Sequence, residues 1–142
     1  MVDCLGCRIA HGLEPTYIIY DDELVTCVLD IDPFNEGHML ILPKQHIREL
    51  EEMDEELSLH VMKTSQLCAN VLKQRYGADG ITICQNGGVF NDLGHYHMHV
   101  IPRFIGDGFT WSESQFDTGE KQRLAETAAN LKIYFHRVLG KS

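Results

Sequence analysis

Positive charge is scarce in this chain. Its 142 residues carry 12 Lys and Arg against 21 Asp and Glu, a formal net charge of −9. Non-specific DNA or RNA binding relies on basic side chains that neutralise phosphates, so this surface argues against a nucleic-acid partner. A single small nucleotide held by backbone N–H groups stays compatible with it. Long apolar runs are also missing: none approaches the ~20 residues needed to cross a bilayer. No basic stretch followed by an apolar one stands at the start, as a secretory signal would require. The expectation is a cytoplasmic protein without a membrane partner. Cysteines number five, an odd count that speaks against a disulfide framework. Cys27, Cys68 and Cys84 lie in apolar stretches and read as small core residues. Cys4 and Cys7 differ, because they form a Cys-x-x-Cys pair.

The hydrophobic fraction of 44% suits one globular domain, residues 1–142. Short strands are expected at Tyr17–Tyr20, Leu24–Ile31, His38–Leu42, Gly80–Gln85 and His95–Ile101, several of them stopped by Asp or Pro. A helix is expected between the third and fourth, with Asp54 as N-cap and Gly77 as its stop. Leu57, Val61, Cys68, Val71 and Leu72 form its apolar stripe. A second helix is expected over Gly119–Leu139, with Leu124, Ala128, Leu131, Phe135 and Val138 inward. The implied fold class is α+β: a five-stranded antiparallel sheet with a central and a C-terminal helix. Its core spans about residues 4–103, followed by a loop and helix over about 104–142. In that loop Trp111 reads as a packing anchor or a lid.

Three histidines alternate in His95-Tyr96-His97-Met98-His99. On an extended strand all three point to one face, roughly 6.5–7 Å apart per step, while Tyr96, Met98 and Val100 face a core. Metal binding, phosphate chemistry, or both would account for such a row. Cys4 and Cys7 are half of a zinc site, and His38, His46, His95, His97 and His99 are its possible partners. His11, His60 and His136 lack context and read as surface residues. For phosphorus, a neutral imidazole attacks and then leaves, a second His serves the leaving group, and loop N–H groups hold phosphate oxygens. Asn86-Gly87-Gly88 could supply part of that loop.

The run His95-Tyr96-His97-Met98-His99-Val100 resembles the motif of the histidine triad (HIT) family. The upstream segment Asp30-Ile31-Asp32-Pro33-Phe34-Asn35-Glu36-Gly37-His38, through to Pro43-Lys44-Gln45-His46, resembles it as well. The Cys-x-x-Cys pair points to its Hint-like branch. The resemblance implies a nucleotide hydrolase that cleaves at the α-phosphorus of nucleoside 5′-monophosphate derivatives: phosphoramidates, adenylates or dinucleoside polyphosphates. His97 would be the nucleophile, His99 would contact phosphate and leaving group, and His38 would support their hydrogen-bond network. Asp30 would hold the ribose, Leu5, Ile9 and Ile31 would line a purine pocket, and Asn86 would sit at the phosphate or ribose edge. A structural zinc would be held by Cys4, Cys7, His46 and His95, with no catalytic cofactor required. Relatives form two-fold homodimers, which is the expectation here.

One stretch departs from the family. Many relatives carry Gly-Gln-Ser or Gly-Gln-Thr before the triplet, where this chain has Phe90-Asn91-Asp92. Asn91 partly replaces Gln as an amide donor. An ionised Asp92 facing a phosphate would be repulsive. That substitution sustains a second reading, a nucleotide-binding regulatory module with negligible turnover. A third, a zinc hydrolase with a catalytic metal on the triad, predicts that chelators abolish activity while the fold survives.

Overall fold

The computed structural model describes residues 3–140. The chain divides into two compact units, Met1–Gly108 and Phe109–Ser142.

In the first unit a short helix α1, Leu5–Ala10, precedes strands β1, Ile18–Asp21, β2, Val25–Leu29, and β3, Met39–Pro43. Helix α2, Glu55–Tyr76, then leads to β4, Gly80–Cys84, and β5, Met98–Arg103. The strands form one sheet in the order β1-β2-β3-β5-β4, antiparallel throughout. The five-stranded antiparallel α+β expectation is therefore met.

Strand alternation sends two sets of side chains to opposite faces. Val25, Cys27, Met39, Ile41, Met98 and Val100 pack with Leu57, Val61, Cys68 and Leu72 of α2 into the main core. Each fully buried aliphatic side chain there contributes roughly 1.5–3 kcal/mol. On the other face, cross-strand pairing sets Val28 beside Leu40, Leu40 beside His99, and His99 beside Cys84. Part of that face is covered by α1 through Ala10, which packs with Val28 and Leu42. Two histidines of the triplet therefore emerge opposite α2, where the sheet is open to a ligand.

Helix α2 begins and ends as its sequence implies. Asp54 caps it by accepting from the Leu57 N–H at 2.8 Å, and Gly77 stops it in the left-handed region at φ 62°. Its buried stripe differs in one member. Val71 stays 50% exposed, and Thr64 and Ser65 are buried instead. Their hydroxyls donate to the His60 and Met62 carbonyls of the preceding turn, which removes the desolvation cost.

Other expectations need correction. Strand β5 starts at Met98, so His95 and His97 precede the ladder rather than belonging to it. Alternation nevertheless persists: Tyr96 is buried in the α2 core, while His95 and His97 are buried elsewhere. His60 is not a free surface residue, because its Nε2 lies 2.7 Å from Asp22 Oδ2 and ties α2 to the β1–β2 turn. In the second unit a 3-10 turn, Glu120–Arg123, leads into helix α3, Leu124–Val138. Its apolar stripe is not buried: Leu124, Leu131, Phe135 and Val138 are 53–87% exposed, and Ala128 is exposed. A lone helix with an irregular lead-in has no second layer within its unit to bury that stripe against. Trp111 is 80% exposed, with its ring edge-on to Phe109. No helix among the described residues is long and apolar enough to cross a membrane.

Candidate functional site

Two clusters meet at His95, one of sulfur and nitrogen and one of imidazoles. Cys4 is the N-cap of α1, and Cys7 lies one turn on. Cys7 Sγ is 3.2 Å from His46 Nδ1, and both sulfurs are 3.6 Å from His95 Nδ1. The four ligand atoms lie within 4.8 Å of one another. A tetrahedral zinc with bonds of about 2.3 Å to sulfur and 2.0–2.1 Å to nitrogen separates S and N ligands by roughly 3.5 Å, so the spacing fits. The tautomer fits as well. His95 Nε2 lies 2.8 Å from the Pro43 carbonyl, which can only accept, so Nε2 carries the proton and the Nδ1 lone pair faces the thiols. Burial pushes the Cys7 thiol up to about 11, aided by its hydrogen bond with Cys4. A bound cation would reverse that shift by favouring thiolates. Burial lowers His95 below its usual value, which keeps it neutral as a ligand must be.

Gly6 makes this arrangement possible. A Cβ added there would lie 2.2 Å from His95 Cβ and 2.4 Å from its Cγ, so α1 presses its bare backbone against the imidazole. Sequence reasoning assigned Gly6 nothing, although a glycine inside a helix is itself a signal of close approach.

The second cluster is fixed by the same logic of donors and acceptors. His97 Nδ1 lies 2.9 Å from the His95 carbonyl, so Nδ1 carries a proton and the neutral ring has its lone pair on Nε2. His38 Nδ1 accepts from the Phe34 N–H at 3.1 Å, so its Nε2 bears the proton and donates to His99 Nδ1 at 2.9 Å. His99 Nε2 then carries a proton and is a donor. Asp30 Oδ2 stands 3.4 Å from His38 Nε2 and 3.7 Å from His99 Nδ1. Burial lowers His38, and burial followed by the neighbouring His97 and His38 lowers His99, so both are neutral at pH 7. Gly37, at φ 96° and with no room for a Cβ beside Tyr76 and Leu72, turns the chain so that His38 reaches this position.

His97 and His99 face a cavity of about 420 Å³, walled by Leu5 and Ile9 of α1 and by Val28, Asp30, Ile31 and Leu40 of the sheet side. Asp92, which the sequence singled out as a carboxylate that would repel a phosphate, also lines it, as do Glu14 and Leu93, which sequence reading did not single out. Among the expected binding residues the structure thus brings Leu5, Ile9, Asp30 and Ile31 together.

The two asparagines stand elsewhere. Asn86 is exposed and outside the cavity wall. The Gly88 N–H, considered as part of a phosphate loop, is taken by the Glu49 carboxylate at 3.1 Å. Asn91 builds a turn: its Oδ1 accepts from the Leu93 and Gly94 N–H groups, and its Nδ2 donates to the Arg48 carbonyl at 3.4 Å and the His95 carbonyl at 3.3 Å. It therefore steadies the carbonyl that orients His97.

The HIT domain family model matches residues 12–106. An uncharacterized HIT-like protein of Borreliella burgdorferi is 34% identical over 137 residues, 94% of this chain and 99% of that one. An Arabidopsis thaliana protein named adenylylsulfatase HINT3 is 33% identical over 114 residues, 79% of this chain and 58% of that one. A crystal structure of a Zn-bound histidine triad family protein from Mycobacterium smegmatis superposes with a TM-score of 0.71 at 34% identity, covering 93% of this chain and 97% of that one. The chain belongs to the HIT family, a nucleotide-binding superfamily that includes hydrolases, and has its fold.

Proposed function

We propose that this protein is a nucleotide hydrolase acting at an α-phosphorus through a covalent nucleotidyl–His97 intermediate. The observation that carries the reading is the 2.9 Å contact between His97 Nδ1 and the His95 carbonyl, which fixes the tautomer whose lone pair is on Nε2, the atom available for attack in the neutral ring. Nε2 attacks phosphorus and forms a P–N bond, while the bond to the leaving group breaks on the opposite side. Positive charge that develops on the ring is stabilised by the Nδ1–H donating to the His95 carbonyl. His99 Nε2–H hydrogen-bonds to the phosphoryl oxygen or the departing atom, held in register by His38. The leaving group takes its proton from solvent. Water then attacks phosphorus, the P–N bond breaks, the nucleoside monophosphate departs and His97 is regenerated neutral.

Asp30 lines the cavity and would accept from ribose hydroxyls, and an apolar wall of Leu5, Ile9 and Ile31 would suit a purine. The Cys4, Cys7, His46 and His95 set has four protein ligands, hence a closed site whose zinc would be structural. That zinc would hold α1 against His95 and the His46 loop. A homodimer is consistent with the free edge of β4, where Ile83 is exposed, and with the half-exposed Leu59, Met62, Leu67 and Val71 of α2.

The test is release of AMP from adenosine 5′-phosphoramidate by the purified protein and by His97→Ala, with folding and zinc content checked. Turnover lost in the variant while zinc is retained supports the reading; equal turnover in both refutes His97 as nucleophile. AMP binding without turnover in the parent protein supports the regulatory-module reading instead, which Asp92 beside the nucleophile favours.

A further inference from the structure

Asp92 places a carboxylate at the point of attack. Its Oδ1 lies 3.4 Å from His97 Nε2, the atom left free to react, and its side chain is 91% exposed. A carboxylate only accepts hydrogen bonds, and the reactive form of His97 has no proton on Nε2 to offer. Among the described residues, no lysine or arginine pairs with Asp92; those that form ion pairs do so with other carboxylates. The wider cavity does not compensate. Its charged lining residues are Glu14, Asp30 and Asp92, and neither Lys nor Arg joins them. Arg8 neutralises Glu14, and Asp30 faces the His38–His99 pair. Asp30 has no cation opposite it either, because that pair is neutral, but Asp92 is the carboxylate that stands 3.4 Å from the attacking nitrogen and so meets the incoming phosphorus.

A nucleotide joined to phosphate, polyphosphate or sulfate would add further negative charge beside that oxygen. A leaving group with an ammonium would supply the missing partner. We infer that Asp92 is a specificity-determining residue that selects, for the α-phosphorus cleavage proposed above, substrates whose leaving group is cationic and discriminates against anionic ones. The inference rests on that reading of the reaction. The charge is solvent-exposed, so each unit charge met at about 4 Å is worth about fivefold, and the effect is screened by salt.

The experiment uses three AMP phosphoramidates with the same P–N bond and similar length, made from 1,3-diaminopropane, propylamine and 3-aminopropanoic acid. Their far ends are cationic, neutral and anionic. The parent protein is expected to rank them in that order by kcat/KM, with about fivefold between neighbours and less at high salt. Asp92→Asn should flatten the series and Asp92→Lys should invert it. The side chain is exposed, and a purely structural role would alter all three rates alike, so the ratios report the charge itself. Ratios unchanged in Asp92→Asn overturn the assignment. Absence of AMP release from all three by the parent protein overturns the hydrolase reading, and the selectivity with it.

Discussion

Gly6→Ala should separate two effects of opposite sign. Inside a helix, alanine is favoured over glycine by about 1 kcal/mol, so local propensity alone makes the variant more stable. The structure demands the reverse. The new methyl carbon would stand 2.2 Å from His95 Cβ, whereas carbon atoms at optimum contact are about 3.5–4.0 Å apart. Either α1 or the imidazole must retreat by more than about 1 Å. Overpacking of this kind costs about 1–3 kcal/mol, which outweighs the propensity gain. The displacement also exceeds the roughly 0.2 Å tolerance of metal–ligand distances, and it separates Cys4 and Cys7 from His95. Because the His95 carbonyl orients His97, a shift near 1 Å is expected to lower turnover by about a hundredfold. Denaturant melts, zinc stoichiometry and phosphoramidate hydrolysis read the three consequences. Gly80→Ala is the control, since a Cβ there meets nothing within 4 Å. A Gly6→Ala protein that is more stable than the parent, with full zinc and full turnover, would refute the close approach and the coupling built on it.

Further expectations follow from the same geometry. His38→Phe removes the donor to His99 Nδ1, and kcat is expected to fall about ten- to a hundredfold in steady-state assays with the fold intact by circular dichroism. Chelation of zinc should lower the melting temperature, with activity lost in parallel with unfolding rather than before it. Asp22 accepts from the Leu24 and Val25 N–H groups, Tyr20 and His60, and these bonds hold it at about 2 against an ordinary 3.8 despite partial burial. A lowered carboxyl pKa gives stability that is full above 3.8 and lost as pH falls through 2, worth about 2 kcal/mol, and Asp22→Asn should abolish that acid dependence in urea melts. His38 and His99 are bases with lowered pKa, so the unfolded chain binds their protons first, and stability should decline as pH falls below their ordinary 6.5.

Local signals carried most of the fold. Asp54 and Gly77 bound α2 because a cap and a left-handed stop act through neighbouring atoms, and the sequence contains both partners. The five strands were legible from alternation and Pro or Asp stops. What sequence could not supply was the competition for each donor. Gly88 looks like part of a phosphate loop from its location and Asn91 from the family resemblance, but the Asn91 amide is used by the nearby His95 carbonyl and by the Arg48 carbonyl 43 positions away, and the Gly88 N–H by Glu49, 39 positions away. The same holds for Asp92, whose approach to His97 depends on the Asn91 turn, and for His60, which meets Asp22 only because α2 crosses the β1–β2 turn.

Alternation in sequence implies one row of histidines on one strand, and the departure of the structure from that row explains why the motif needs three. A regular strand would space the imidazoles evenly and aim them alike, which suits neither a tetrahedral metal nor an attack line. Starting β5 at Met98 frees His95 and His97 from the ladder. His95 can then turn its ring to Cys4 and Cys7 while its carbonyl points at His97. One residue thereby belongs to both clusters, through its side chain to the ligand set and through its backbone to the nucleophile. A metal at the first cluster would fix the ring, the Pro43 carbonyl fixes its tautomer, and Asn91 steadies the carbonyl that remains. The His97 lone pair is therefore positioned by groups that never touch the substrate.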